Sequence, residues 1–262
     1  MNACSIDAAY SKSILTITLN RPAVLNAIDL EMAESLKQTL LEAARNYDVR
    51  AIMLIGSGRA FCSGGDLKFA HQANSTMPGD SFWALTSILR VCIEEIREMP
   101  KPVIAAINGP AAGAGLFLAL ACDLRVMAQS AYLKQSNTSY GLSIPAGGTF
   151  TLPRLIGMGR ALEIALLDEP IPSASALSMG MVSQVVSDEE LLPATQQLAA
   201  RVAKMPVETL GRVKRLMNDS FDSTLSEQMA AEQHAISNAA NSFEGREGIS
   251  AFLQKRSPQY CA

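Results

Sequence analysis

Two glycine turns carry most of the chemistry this chain can offer. The first reads Ala60-Phe61-Cys62-Ser63-Gly64-Gly65-Asp66, and the second reads Asn108-Gly109-Pro110-Ala111-Ala112-Gly113-Ala114-Gly115. Ahead of the second stands Val103–Ile107, an apolar run short enough to be one buried strand. Beyond it, small residues give way to Leu and Ala, so the spacing predicts a strand, a tight turn and a helix beginning near Gly113. The first amides of a helix lack internal partners, and its dipole draws negative charge to that end. Gly113 and Gly115 present no side chain, which lets a ligand approach the backbone. Such a place suits a phosphate, or an oxygen that becomes negative during a reaction. The same pattern also serves packing in α/β proteins, and spacing alone leaves both readings open.

Side chains able to move a proton are scarce around these turns. No Asp or Glu occurs between Asp123 and Glu163. His71, in the segment after the first turn, titrates in the right range for proton transfer, although a loop histidine is often only solvated. Cys62 adjoins Ser63 without a basic neighbour in sequence and reads as a packing residue. Asn137, Tyr140 and Ser143 are further polar candidates; Asn137 and Ser143 can orient a substrate or a water, but neither is a base.

The elements that must hold these residues follow from periodicity. Ser13–Leu19 alternates like a strand and stops at Asn20-Arg21-Pro22. Asp29 is a good N-cap for a helix to about Asn46, with Met32, Leu36, Leu40 and Ala43 on one face. Ala51–Ile55 is a second buried strand, and Arg59–Leu67 is a strand end with paired glycines. Lys68–Asp80 is a loop or short helix and Ser81–Met99 a helix. Asp123–Ala128 and Val182–Val186 read as strands, with short helices at Gly159–Leu167 and Ser173–Met179 between them. From Ser187 the pattern turns helical, at about 188–203, 206–219, 223–239 and 243–255. This places an α/β core at 1–190 and a helical region at 191–262.

With 262 residues, 48% hydrophobic and 18% charged, the chain can bury a substantial core. A net charge of −3 gives no reason to expect nucleic acid or an anionic membrane as partner. The uncharged run Val103–Cys122 is long enough for a membrane span, but Asn108, Gly109, Pro110, Gly113 and Gly115 break it, so it reads as core. Met1–Tyr10 lacks a basic start followed by an apolar stretch, so no signal peptide is expected. Five cysteines (Cys4, Cys62, Cys92, Cys122, Cys261) without a C-x-x-C pair, and two histidines, make a metal site unexpected and suit free thiols in the cytoplasm.

Taken together, the two turns, Asn20-Arg21-Pro22 with Asn26-Ala27, and Lys101–Gly109 resemble the crotonase (enoyl-CoA hydratase/isomerase) family. The resemblance covers nearly the whole chain. Gly147-Gly148-Thr149-Phe150-Thr151-Leu152-Pro153-Arg154 and the tail 246–258 are most similar to the ring-epoxide isomerase branch of phenylacetyl-CoA degradation. It implies a spiral of ββα units with a helical C-terminal region that builds homotrimers, often paired into homohexamers. It also implies an acyl-CoA thioester as substrate, CoA entering as part of the substrate with no separate cofactor. The thioester oxygen would sit between two backbone N–H groups, carried by motif onto Ser63 and Ala114. Gly64, Gly65 and Gly113 belong to the same turns, with Asp66 their structural member. Backbone around Arg59, Ala60, Phe61, Leu25 and Ala27 would follow the CoA moiety. Phe252 and Lys255 match a Phe-x-x-Lys through which a neighbouring subunit reaches the nucleotide.

The chain departs from that family where acids are needed. Hydratases use two glutamates, because adding water requires proton transfer at two carbons. Their positions hold Phe117 and Asn137, and the aspartate of the epoxide isomerase branch is matched by Pro145. What the resemblance then implies is an isomerase or hydratase-like enzyme that stabilises a thioester enolate without the usual carboxylates. A decarboxylase or other lyase, and a non-catalytic acyl-CoA-binding subunit, are the alternatives.

Overall fold

The computed structural model describes residues 4–73 and 76–260. Part of the Lys68–Asp80 segment, the start of the chain and Cys261 therefore lie outside the described residues. The chain opens with strands β1 (Ile6–Ser11) and β2 (Ile14–Leu19), then helix α1 (Leu30–Arg45) and β3 (Ala51–Gly56). Helices α2 (Leu67–Ala73) and α3 (Pro78–Glu98) lead to β4 (Val103–Ile107), β5 (Ala111–Ala112) and α4 (Ala114–Ala121). Next come β6 (Leu124–Ala128), β7 (Tyr132–Lys134), α5 (Gly148–Ile156), α6 (Met158–Leu167), β8 (Ile171–Pro172), α7 (Ser173–Ser178) and β9 (Gln184–Val186). Four helices follow: α8 (Leu191–Ala203), α9 (Val207–Asp219), α10 (Leu225–Asn241) and α11 (Phe243–Leu253).

The large sheet has the order β1-β2-β3-β4-β6-β9, antiparallel only at β1–β2. Each later strand therefore adds to the same edge, and the chain advances as a spiral. After each large-sheet strand a short extended segment pairs with the matching segment of the next turn. Ile28 bridges Gly65, Cys62 bridges Ala111, and β5 pairs with β7, all parallel. This second ladder brings the two glycine turns side by side. The repeat of strand, glycine turn and helix visible in the sequence is thus a repeat in space.

Core positions follow the periodicity. Met32, Leu36, Leu40 and Ala43 are buried on α1, whose Asp29 cap accepts a 2.9 Å bond from the Met32 amide. All of β4 is buried, as a parallel strand covered on both faces requires. β1 has no apolar alternation to mark it, because only Ile6 of its six residues is buried. The short strands β5, β7 and β8 are set by pairing rather than by pattern. At the other end, α8 lies against β3, β4 and β6, with Leu191, Thr195, Ala199 and Ala203 buried. Where the chain turns helical near residue 190, α8 still covers the sheet, with Leu191 in the core and Leu198 packed against it.

Asn26 and Asn108 knit neighbouring turns. Fully buried Asn26 donates to the carbonyls of Ser57 (2.9 Å), Ala60 (2.8 Å) and Phe61 (3.2 Å) and accepts from the Arg21 amide (2.9 Å). Asn108 accepts from the Gly56 amide (3.0 Å) and donates to the carbonyls of Gly58 (3.0 Å) and Ala60 (3.3 Å). Asn26→Ala strands several buried backbone groups, so denaturant unfolding should show a loss on the order of 3 kcal/mol. A loss below about 1 kcal/mol would show that the loop holds its shape without this side chain.

Candidate active site

The second ladder decides which backbone donors are free. Ile28 donates to the Gly64 carbonyl (2.8 Å) and Asp66 donates to the Ile28 carbonyl (2.9 Å), so the Gly65 N–H between them makes no hydrogen bond. On the next turn of the spiral, α4 begins at Ala114, and the first amide in it with a partner is Phe117, bonded to the Gly113 carbonyl. Gly65 and Ala114 therefore offer one unpaired N–H each, and both line one cavity. The Ser63 amide, assigned by motif as a donor, is already bonded to the Leu25 carbonyl at 3.0 Å. The free donor of the first turn is two residues further on.

Glycine roles differ across the two turns. Gly64 (φ +103°) and Gly113 (φ +52°) hold backbone conformations that side chains resist, and they pack against each other. Gly115 leaves no room for a ligand: a Cβ there would stand 2.4 Å from the Cys62 carbonyl oxygen. Its smallness serves the packing of one turn on the next. Burial pushes the Cys62 thiol up to about 12, which removes it as a nucleophile at neutral pH.

The cavity holds about 380 Å³. Phe82, Leu85 and Leu89 of α3 form one wall, and Leu142, Ile144 and Pro145 form another. Ser136, Asn137, Tyr140 and Ser143 supply its polar edge. Among the described residues that line it, none is Asp, Glu, His, Lys or Arg. His71 is exposed on α2 and does not line the cavity. Phe117, assigned to substrate contact, is buried in the core behind the cavity, its ring filling the space that a Cβ on Gly148 would need. Asp66 is a joint in the scaffold: it accepts from Arg21 (3.2 Å), caps α2 through the Lys68 amide (3.1 Å), and shares Arg21 with Asp29.

Two residues absent from the sequence reading fix the polar edge. Buried Gln135 donates to Thr138 Oγ1 (2.9 Å) and to the Ala165 carbonyl (3.1 Å), and its Oε1 accepts from the Asn137 amide. Asp168 accepts from the Ser136 amide (2.5 Å), the Ser139 amide (3.1 Å) and the Ser139 hydroxyl. Neither carried a sequence signal, because Gln135 stands among Lys134, Ser136 and Asn137 and Asp168 beside Glu169, and the Gln135–Ala165 and Ser136–Asp168 bonds reach across α5 to the end of α6. Burial works to raise the Asp168 carboxyl, but the bonds from Ser139 and Ser136 outweigh it and hold it below the usual carboxylate range.

None of the residues expected along CoA (Leu25, Ala27, Arg59, Ala60, Phe61) lines this cavity, and their exposure is mixed. Arg59 is exposed, and Leu25 (φ +55°) closes the turn after Arg21. Ala27, Ala60 and Phe61 are buried, and the Ala60 and Phe61 carbonyls are taken by Asn26. Phe252, 82% exposed, and Lys255 stand on and after α11 and do not line this cavity. No three His, Cys, Asp or Glu side chains among the described residues cluster to hold a metal. No helix among them is long and apolar enough to cross a membrane.

Residues 9–262 match the family model described as enoyl-CoA hydratase/isomerase. The chain belongs to the enoyl-CoA hydratase/isomerase family. It is 39% identical to the 1,2-epoxyphenylacetyl-CoA isomerase of Escherichia coli, with 95% of each chain covered. It is equally 39% identical to a probable enoyl-CoA hydratase of Rhodobacter capsulatus, over 99% of each. Among solved structures, an enoyl-CoA hydratase from Polaromonas sp. superposes with a TM-score of 0.93 at 34% identity, covering 98% of this chain and 99% of the other. The ladder of short segments described above is therefore the crotonase spiral, in a family of acyl-CoA-processing enzymes.

Because folding lowers the Asp168 carboxyl, its stabilising contribution is fully present above the unfolded value near pH 4 and is lost as pH falls through the folded one. Asp168→Asn should cost about 1–3 kcal/mol at neutral pH. The gap between variant and wild-type melting curves should shrink as pH falls below about 4. A gap that stays constant down to pH 2 would mean that the carboxylate charge is not what holds the loop.

Proposed function

We propose that this chain binds an acyl-CoA thioester with its carbonyl oxygen between the Gly65 and Ala114 amides and stabilises the enolate formed next to that carbonyl. The reading is carried by one observation: two unpartnered amides from consecutive turns line a cavity that has no acidic or basic side chain among the described residues of its wall. Negative charge grows on the thioester oxygen as the neighbouring carbon becomes carbanionic, and fixed donors there favour that state over the substrate. Low surrounding polarity strengthens each bond, and one such donor is worth on the order of 3 kcal/mol in acyl transfer. The reaction class is that of an isomerase or hydratase-like enzyme working without the usual carboxylates. The substrate brings CoA with it, no separate cofactor enters, and the site of action is the cytoplasm.

A second reading rests on the same bare wall. Decarboxylation of a malonyl-type thioester needs no protein base to begin. The C–C bond to the carboxylate breaks, CO2 leaves, and the electron pair becomes the enolate, which then takes a proton from water. Donors on the oxygen are all that such a step requires from the protein.

We further propose that the chain assembles as a homotrimer, or as a hexamer of two trimers. On α10 no residue is buried, while Leu225, Met229 and Ile236 form an exposed apolar stripe; on α11 Phe252 and Leu253 add to the uncovered apolar surface. Light scattering should give a multiple of three of the 27.9 kDa chain, and a clean monomer at micromolar concentration would reject this.

Each missing general acid or base ordinarily contributes about 10²–10⁴-fold, so crotonyl-CoA should be hydrated weakly or not at all. Ala114→Pro removes one donor at the first helical position, where proline is tolerated. Folded Ala114→Pro protein should lose whatever thioester reaction the wild type shows, whether isomerisation followed in the ultraviolet or CO2 release. Fast hydration of crotonyl-CoA, or full activity in that variant, would refute the reading.

A further inference from the structure

Among the described residues, the polar side chains lining the cavity of the two free amides are Ser63, Thr86, Ser136, Asn137, Tyr140 and Ser143. Three of them are already engaged. The Ser63 hydroxyl donates to the Val24 carbonyl (3.3 Å) and the Thr86 hydroxyl to the Phe82 carbonyl (2.7 Å). Asn137 donates to the Gln135 carbonyl (2.9 Å), and its amide does not ionise. The hydroxyls of Ser136, Tyr140 and Ser143 have no partner among the described residues. A serine hydroxyl gives up its proton only with a base beside it, and this wall supplies none. A phenol can act alone as general acid and, ionised, as general base. Tyr140 is the one phenol on the wall.

The backbone under Tyr140 is held still. It ends a single 3₁₀ turn, Thr138–Tyr140, in which the Thr138 hydroxyl donates to the Ala165 carbonyl (3.0 Å) and the Ser139 amide to Asp168 (3.1 Å). The Leu142 amide then returns to the Asn137 carbonyl (2.9 Å). Asn137, at the head of this turn, has its side-chain oxygen 3.8 Å from where a Cβ on Gly113 would stand. The turn carrying Tyr140 is therefore packed on the one that presents the Ala114 amide. Tyr140 lines the cavity while 66% exposed, so its ring stands at the mouth, between the cavity and water. A hydroxyl placed there can renew its proton from solvent.

We propose that Tyr140 is the catalytic proton carrier of this site. The inference rests on the thioester reading of the cavity. The Tyr140 phenolate takes a proton from the carbon next to the carbonyl. The C–H electron pair becomes the C=C bond of the enolate, and the carbonyl pair moves onto the oxygen held by the Gly65 and Ala114 amides. The neutral hydroxyl then returns a proton to carbon, the thioester re-forms and the phenolate is restored. Where the enolate arises by loss of CO2, only this second half occurs, and water reprotonates the phenolate. One carrier serves a proton that leaves and returns, whereas adding water requires two. Tyr140 therefore does not restore hydration of crotonyl-CoA.

Deuterium uptake from D2O at the α-carbon, followed by mass spectrometry, tests this with butyryl-CoA and phenylacetyl-CoA, alongside calorimetry of both. The wild type should bind both and take up one deuterium well ahead of a second, because the carrier stands on one side of the enolate. Tyr140→Phe breaks no hydrogen bond, so it should melt with the wild type and bind both thioesters as tightly. Its exchange should be slower by about 10²–10⁴-fold, and what remains should show no lead of the first deuterium over the second. Undiminished exchange in Tyr140→Phe, a wild type that binds without exchanging, or a loss of exchange matched by an equal loss of binding would each overturn the assignment while leaving the thioester site intact. Failure of the wild type to bind either thioester would remove the thioester reading and the role of Tyr140 with it.

Discussion

Backbone packed directly on backbone is the constraint on which the rest of this structure depends. Successive turns of the spiral touch where a side chain cannot fit. A Cβ on Gly56 would lie 2.1 Å from the Ala60 carbonyl oxygen, one on Gly109 would lie 2.2 Å from that of Arg59, and Gly115 meets Cys62 in the same way. Chains this close must satisfy each other's polar groups, because water is excluded. Asn26 and Asn108 do so across the turns, and the single-residue bridges do the rest. What remains unpaired on the cavity wall is then determined by the ladder and by the start of α4: the Gly65 amide on one turn and the Ala114 amide on the next. The candidate site is the remainder of a packing problem.

The same arrangement separates charge from chemistry. Buried charges exist in this protein, but they stand away from the cavity. Asp123 pairs with Lys214 (2.8 Å) and accepts from the Val103 amide (2.8 Å), tying α9 to the start of β4. Burial drives the Asp123 carboxyl upward, and Lys214 pulls it back. Arg125 is spent on the carbonyls of Met181 and Cys122, and Lys101 on that of Ala43. None of these reaches the cavity, which is left with fixed dipoles and apolar walls. Fixed dipoles need no reorganisation when charge develops, so a site of this kind favours reactions whose difficulty is a negative oxygen rather than a proton transfer.

The C-terminal helices divide by what they cover. α8 closes the sheet and α9 is pinned to the core by Lys214 and by Asn218, which bonds Arg97. Glu244 on α11 caps the start of α9 through the Glu208 and Thr209 amides. Between them α10 is well formed, with a Thr224–Glu227 capping box, yet it buries nothing of its own. Local capping makes it a helix, and only another surface can use its apolar stripe.

Much of this was legible in the sequence, because it depends on local rules. The cap at Asp29, the buried face of α1, the buried run of β4 and the start of α4 next to Gly113 follow from residue type and spacing. Several separated motifs in order also identified the family. The sequence also shows directly that no Asp or Glu lies between Asp123 and Glu163. Tertiary structure alone decided which amides are free. Ser63 and Gly65 look alike in a glycine turn, and only the bond from Ser63 to Leu25 and the bridge between Gly65 and Ile28 tell them apart. It alone gave Gly115 a packing role and placed Phe117 against Gly148 rather than on the cavity wall. Periodicity reports which face of an element is buried; a hydrogen-bond partner or a shared cavity is a relation between distant segments, and it exists only once the chain has closed on itself.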